Sequence, residues 1–119
     1  MKRNLIFFSF EQEIKVGTYV DNISVDPVTG NLWFAGIPRA VDVLEHAKNL
    51  SHPSPSQVLT IKLGKPSASG IAFPDNEVRE VYKNDGNELT FSTSAIVYKD
   101  RLLIGSLDSN MLYCELKYY

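Results

Sequence analysis

The amino-acid sequence predicts a single all-β domain. Short runs of apolar and β-branched residues alternate with polar residues along most of the chain, and clusters of turn-forming residues separate these runs. The length of 119 residues suits one domain with a modest core. Hydrophobic residues make up 44% of the chain and charged residues 22%, which is typical of a globular protein and argues against disorder.

Charge and hydropathy exclude several classes of protein. The formal net charge is -2 without a cluster of Lys or Arg, so nucleic-acid binding through a basic face is disfavoured. No segment contains the ~20 consecutive apolar residues that a membrane-spanning helix needs. The apolar run after Lys2 and Arg3 resembles a signal peptide, but Glu11 ends it without a small-residue cleavage site. We therefore predict a strand at Leu5–Phe10.

The first half of the chain predicts a hairpin, a turn of helix and one further strand. Polar and apolar residues alternate up to Val25, and then Pro27 presets its own φ while Gly30 tolerates a positive φ. The predicted elements are a strand at 19–25, a turn at 26–30, a strand at 31–35, a helical turn at 43–49, a proline- and serine-rich loop at 51–55 and a strand at 57–63.

The second half predicts more strands joined by turns. Asp85-Gly86 is a strong hairpin signal. The predicted elements are a strand at 78–82, a turn at 83–87, a strand at 94–98, a two-residue turn at 99–100, a strand at 101–105, a loop at 106–110 and a strand at 111–116.

One unit occurs twice: a strand, a tight turn, and a second strand that ends in glycine, at 21–36 and again at 94–105. Repeated strand–turn–strand units of this size indicate the four-stranded blades of a β-propeller. Because two units cannot close a ring, the sequence predicts about two blades, an arc whose sheets leave apolar faces without neighbours.

Four segments carry a resemblance to a known family. They are VDNISVDPVTGNLW at 20–33, SQVLTIKL at 56–63, AIVYKDRLLIGSL at 95–107 and MLYCEL at 111–116. Together they resemble the C-terminal part of the paraoxonase/arylesterase family, from Leu5 to Leu116, with extra residues around 66–75. The resemblance implies that residues 1–119 are one partial region of a six-bladed propeller that carries calcium in its central tunnel.

The resemblance also implies an activity and a metal site. Family members hydrolyse aryl esters and lactones, and Asp21 and Asn22 match a pair that coordinates the catalytic calcium. Calcium accepts six to eight oxygen ligands, so a carboxylate beside an amide is suitable chemistry. Because adjacent strand residues point to opposite faces, we expect the pair where a strand has just begun, at the lip of the tunnel.

The other calcium ligands and the family's catalytic histidine dyad have no counterpart in this chain. His46 and His52 fall in a helical and a Pro/Ser-rich connection, and we do not assign either to the dyad. Ala35-Gly36-Ile37-Pro38 stands where the family often has Gly-Cys-His-Pro, which alters the rim of the active site. This departure favours an alternative, a non-catalytic relative that serves as an interaction surface or in membrane-protein assembly. In a third interpretation, a generic β-sheet domain, Asp21 and Asn22 merely end a strand.

Cys114 and Asn49 bear on the cellular compartment. A lone cysteine is expected to be a buried free thiol, whereas the resemblance implies a disulfide between Cys114 and a cysteine absent from this chain. A disulfide implies an oxidising compartment, hence a secreted or membrane-anchored parent protein that associates with membrane or lipoprotein. Asn49-Leu50-Ser51 is a sequon on a predicted loop, so Asn49 is a candidate for glycosylation.

Overall fold

The computed structural model describes residues 7–10, 12–64, 75–107 and 110–117. The elements in chain order are β1 (Tyr19–Val25), β2 (Leu32–Ile37), α1 (Ala40–Lys48), β3 (Ser56–Lys62), β4 (Glu77–Asn84), β5 (Ser92–Tyr98), β6 (Arg101–Ser106) and β7 (Leu112–Glu115). Strands β1-β2-β3-β4 form one antiparallel sheet, called sheet A, and β5-β6-β7 form a second, called sheet B. The all-β prediction is confirmed, and the two unclosed sheets are consistent with part of a propeller.

The β1–β2 hairpin forms as the sequence predicts. The amide of Asp26 donates to the carbonyl of Asn31 at 2.8 Å, and Gly30 donates to the carbonyl of Asp26 at 2.8 Å with φ at +75°. The Asp26 carboxylate accepts the Val28 amide at 2.9 Å, and this hydrogen bond holds the pKa of Asp26 below its ordinary value. The turn is therefore fixed by local contacts that its own sequence specifies.

Helix α1 begins at Ala40, three residues earlier than predicted. Its N-cap residue, Arg39, makes no capping hydrogen bond through its side chain, so the usual sequence signal for a helix start is missing. Arg39 instead pairs with Asp42 in the first turn at 3.2 Å. No helix in the described ranges is long and apolar enough to cross a membrane.

Two predicted elements differ from the structure. Leu5 and Ile6 lie outside the described residues, but residues 7–10 form no strand, and Phe7, Phe8 and Phe10 are exposed. An aromatic run favours a strand only when a partner strand and a covering surface are available. The predicted strand at Leu5–Phe10 is therefore wrong for its described part.

Asp85-Gly86 does not make a hairpin. The segment leads from β4 in sheet A to β5 in sheet B. The side-chain oxygen of Asn84 accepts the amides of Gly86 at 2.8 Å and Glu88 at 3.0 Å, which curls the loop locally. At Gly86 a Cβ would lie 2.8 Å from the carbonyl oxygen of Ser54, so the glycine permits close packing against another loop.

The core lies between the two sheets. Its buried members come from β2, β3, β5, β6 and the loop before β5: Trp33, Val58, Leu89, Ala95, Val97, Leu102 and Ile104. A smaller cluster of Phe34, Leu59 and Ile61 occupies the other face of sheet A, where Ile14 and Val16 pack against it. The central strands of sheet A, β2 and β3, are thus covered on both faces, whereas most residues of β1 and β4 are exposed.

The described residues cover sheet B on one face only. Ile96, Leu103 and Tyr113 are in register across β5, β6 and β7, and their side chains are exposed. This row is the apolar face without a neighbour that an arc of propeller blades predicts.

Candidate functional site

Asp21 and Asn22 lie in a β-bulge. Val20 is opposite Gly36 and Ile23 is opposite Phe34, so the two residues share one counterpart on β2, Ala35. A bulge interrupts the alternation of faces and redirects a side chain. β1 begins at Tyr19, as predicted, so Asp21 and Asn22 are the third and fourth residues of the strand, near its start. The bulge supplies another way for neighbouring side chains to reach one ligand.

The donor chemistry of the pair fits a hard cation. Asp21 offers a carboxylate and Asn22 an amide carbonyl, and both residues are exposed. Within the described ranges, no group of three or more His, Cys, Asp or Glu side chains comes together as a metal site. Since calcium takes six to eight oxygens, the two side chains could provide only part of its coordination shell.

Gly36 and Ser92 hold the bulged end of sheet A. A Cβ on Gly36 would lie 2.6 Å from Oε1 of Gln57 and 2.9 Å from Cδ1 of Leu59, so a larger residue opposite Val20 would have to displace these two buried side chains. The Ser92 hydroxyl, fully buried, accepts the Gln57 amide at 3.1 Å and lies 3.3 Å from the Gly36 carbonyl, to which it can donate. Sheet B therefore fixes the backbone on which the bulge depends.

The repeated unit contains a second bulge with different chemistry. Ser92 is opposite Ser106 and Ser94 is opposite Gly105, which leaves Thr93 as the extra residue of β5. Thr93 and Ser94 are half-buried and carry only hydroxyl groups. The backbone geometry is thus repeated in both sheets, whereas the carboxylate and the amide occur in sheet A alone.

The position after Gly36, which the family resemblance places at the rim of the active site, carries no imidazole. Ile37, the last residue of β2, is half-buried and lies opposite Tyr19, which is 65% exposed. An isoleucine cannot transfer a proton or ligate a metal, so this position offers shape and hydrophobicity only.

His46 and His52 connect α1 to the following loop. The Nδ1 of the buried His46 lies 2.6 Å from the carbonyl oxygen of His52, and the His46 ring packs 6.1 Å from the Phe91 ring. The Nε2 of His52 lies 3.3 Å from the Asp42 carboxylate. The two imidazoles are linked through a backbone carbonyl and not ring to ring, which is an arrangement for packing.

Cys114 is a free, half-buried thiol on β7, at the edge of sheet B. Burial raises the pKa of Cys114, and the negative charge of Glu88 raises it further. Tyr82 donates to Glu88 at 2.7 Å, and burial together with this hydrogen bond raises the pKa of Tyr82. The thiol is therefore protonated at neutral pH and is a poor nucleophile.

Asn49 is exposed directly after α1. Its Oδ1 accepts the Ser51 amide at 3.0 Å, and its own amide donates to the Glu45 carbonyl at 2.9 Å. The side-chain nitrogen that a glycan would use takes no part in these hydrogen bonds.

Comparison with known proteins identifies the family. Residues 2–116 match the arylesterase family. The chain is 38% identical over 105 residues to serum paraoxonase/arylesterase 1 of Homo sapiens, with 88% of this chain and 27% of that protein covered. It is 36% identical over 103 residues to serum paraoxonase/arylesterase 2 of Rattus norvegicus, and 37% identical over 103 residues to serum paraoxonase/lactonase 3 of Oryctolagus cuniculus.

Each of the latter two matches covers 87% of this chain and 27% of the relative. The chain thus spans about a quarter of the length of the curated relatives it matches. The resemblance drawn from the sequence is confirmed: this chain belongs to the arylesterase family.

Proposed function

We propose that the chain contributes part of a calcium-dependent hydrolase of aryl esters and lactones, as a C-terminal portion of a longer propeller. Membership of the arylesterase family and the names of its relatives support hydrolysis of small esters. The observation that carries the metal assignment is the bulge, which presents an exposed carboxylate beside an exposed amide.

Asp21 and Asn22 are the proposed ligands within this chain. Calcium held there would polarise an ester carbonyl and offset the negative charge that develops on its oxygen. Asp21 contributes charge and Asn22 a neutral carbonyl dipole. Gly36 and Ser92 keep the bulge in place, so their contribution to the site is positioning.

The group that activates water is proposed to lie outside this chain, because His46 and His52 are engaged between α1 and its loop. We therefore expect the 119-residue chain alone to hydrolyse neither phenyl acetate nor a γ-lactone above the buffer rate, with millimolar calcium present. Calcium-dependent turnover by this chain would contradict the proposal that the group that activates water lies outside it.

The metal assignment is tested in the longer protein that contains this chain. Asp21→Ala removes a charged ligand, so we expect calcium affinity to fall roughly tenfold or more and calcium-dependent thermal stabilisation to shrink. Asn22→Ala should act in the same direction more weakly. Asp100→Asn, in the exposed β5–β6 turn, is the matched control and should leave both quantities unchanged. If Asp21→Ala and Asn22→Ala both bind calcium as tightly as the wild type, then neither residue is a calcium ligand.

The second candidate function is a non-catalytic interaction or membrane-protein assembly role. Ile37 favours it, since a rim position that could carry an imidazole is aliphatic here. In this case the longer protein would bind calcium through Asp21 and Asn22 and yet hydrolyse neither phenyl acetate nor the lactone. Measuring both calcium affinity and ester turnover in the longer protein therefore distinguishes the two candidate functions.

We further propose that the parent protein is secreted or membrane-anchored and associates with membrane or lipoprotein. A disulfide from Cys114 to a distant cysteine and a glycan on the exposed Asn49 would accompany that location. Intact mass of the protein from a secreting eukaryotic host, before and after reduction and deglycosylation, tests both modifications. A free thiol and an unmodified Asn49 would count against the assignment.

A further inference from the structure

The four edge strands of the two sheets differ in how regular they are. Sheet A ends in β1 and β4, and sheet B ends in β5 and β7. β1 carries the bulge at Asp21 and Asn22, β4 has an extra residue at Val81, and β5 has one at Thr93. β7 pairs with β6 without a shift of register. Because a bulge on an edge strand hinders the addition of another strand, β7 is the one edge of the described sheets that lacks this protection.

β7 also lacks the charged side chains that protect β4. Four of the eight residues of β4 are charged, namely Glu77, Arg79, Glu80 and Lys83. β7 has the sequence Leu-Tyr-Cys-Glu, and its single charge, Glu115, pairs with Arg101 on the neighbouring strand at 3.1 Å. Natural edge strands are kept from pairing with other chains by charged residues, proline or bulges, so β7 is open to such pairing.

The backbone of β7 presents hydrogen-bonding groups outward at alternate residues. The amide of Leu116 donates to the carbonyl of Asp100 at 2.8 Å, and Cys114 lies two residues earlier in the same ladder. Hydrogen-bonded and non-hydrogen-bonded pairs alternate along antiparallel strands. Cys114 is therefore bonded to β6, whereas Tyr113 and Glu115 direct their N–H and C=O groups away from it. Since β7 ends sheet B, no described strand pairs with these groups.

We propose that two copies of this chain pair through β7, edge to edge and antiparallel, so that their three-stranded sheets B form one continuous sheet. With the two-fold axis at Cys114, Tyr113 of each copy is opposite Glu115 of the other. This register brings together the outward N–H and C=O groups of both residues. Cys114 is then opposite its own counterpart, in a non-hydrogen-bonded pair with about 4.5 Å between the Cα atoms.

A second copy suits this edge because the pairing opposes no like charges. Glu115 faces a tyrosine and Lys117 faces a methionine. Leu112 is opposite Leu116, and both already pack against the core between the sheets. The contact of about five residues in each copy buries less than the ~800 Å² per partner of a standard interface, so the dimer should be weak. The inference uses none of the residues assigned to the metal and is independent of the proposed function.

Sedimentation equilibrium of the 119-residue chain tests the pairing. The average mass should rise from one chain toward two between about 10 µM and 1 mM, as befits a small interface. Tyr113→Pro removes an outward N–H where an edge strand tolerates proline, so dimerisation should weaken about tenfold or more. Tyr113→Val keeps the N–H and the preference for a strand, and as the matched control it should dimerise within about threefold of the parent.

Cys114 reports the register because it is the sole cysteine of the chain, so any disulfide is intermolecular. A Cα separation of about 4.5 Å is within the range that a disulfide spans, roughly 4.4–6.8 Å. Diamide should therefore link the paired copies: the two thiols lose two electrons and two protons, and diamide takes them up to become its hydrazine. Cys114→Ser should still dimerise in sedimentation and give no covalent dimer. Because the cross-link is measured on the parent chain, it decides the proposal even where Tyr113→Pro does not fold.

Stacking of two bare faces of sheet B is the competing contact. Ile96→Lys places a charge in that face on β5, two strands away from the β7 edge, and should leave edge pairing unchanged. Four outcomes would overturn the proposal. They are a chain that stays monomeric up to about 1 mM, a folded Tyr113→Pro that dimerises as tightly as Tyr113→Val, a dimer abolished by Ile96→Lys, and a dimer that diamide does not link.

Discussion

Sheet A and sheet B contain the same hairpin unit in two environments. In sheet A, Phe34 is covered by the segment that contains Ile14 and Val16, while the opposite face packs on sheet B. In sheet B the corresponding outer row of Ile96, Leu103 and Tyr113 is exposed. The difference teaches that the local fold of a blade is specified by its own hairpin, whereas its stability depends on what covers its second face.

The two bulges extend this comparison to chemistry. Both units shift register near the start of their first strand, yet one places Asp21 and Asn22 there and the other Thr93. The bulge is therefore a property of the repeated backbone. Only the unit in sheet A carries side chains at its bulge that are proposed to bind a metal.

The largest expected effect is in the covered face of sheet A. Phe34→Ala removes a side chain that is 1% exposed and leaves a cavity, so we expect a loss of about 3–5 kcal/mol in the free energy of unfolding. Ile96→Ala, in the bare face of sheet B, removes a side chain that is 54% exposed and should cost less than about 1 kcal/mol. Urea denaturation of the 119-residue chain measures both, and comparable losses would break the contrast between the sheets.

The next largest expected difference is in the cost of replacing the glycine that lies near the end of the second strand in each unit. Gly36→Ala would push against Gln57 and the buried Leu59, and we expect a cost of about 1–3 kcal/mol. Gly105→Ala meets chiefly the hydroxyl of Ser94, at 2.5 Å, and a serine rotamer can turn away, so its cost should be smaller. Thermal unfolding of the pair sharpens the comparison. A larger loss for Gly105→Ala would show that the bulge of sheet B is the more tightly packed.

The smallest expected effect is the pH dependence of the β1–β2 turn. Hydrogen bonds from the Val28 and Thr29 backbone lower the pKa of Asp26 below 3.8, so its ionised form stabilises the fold. This contribution is fully present above pH 3.8 and is lost as the pH falls through the lower pKa of the folded state. Asp26→Asn should therefore flatten the acid limb of a plot of melting temperature against pH. An unchanged acid limb would contradict the role of this carboxylate.

The sequence by itself determined the parts of the fold that local contacts specify. β1 has the predicted bounds because alternation and the Asp-Pro turn both act within the hairpin. The strand ends of β5 and β6 are predicted to within two residues for the same reason. Asp21 and Asn22 could be identified as candidate ligands from the family resemblance, since the residue types suit a hard cation.

Only the tertiary structure decided how those residues are presented. The bulge at Asp21 arises from the register of β1 against β2, which no local pattern encodes. Asp85-Gly86 became a link between sheets because Gly86 packs on Ser54, distant in sequence. The exposure of Phe8 has the same basis, because a strand needs a partner, and pairing between distant segments is decided by the assembled sheet.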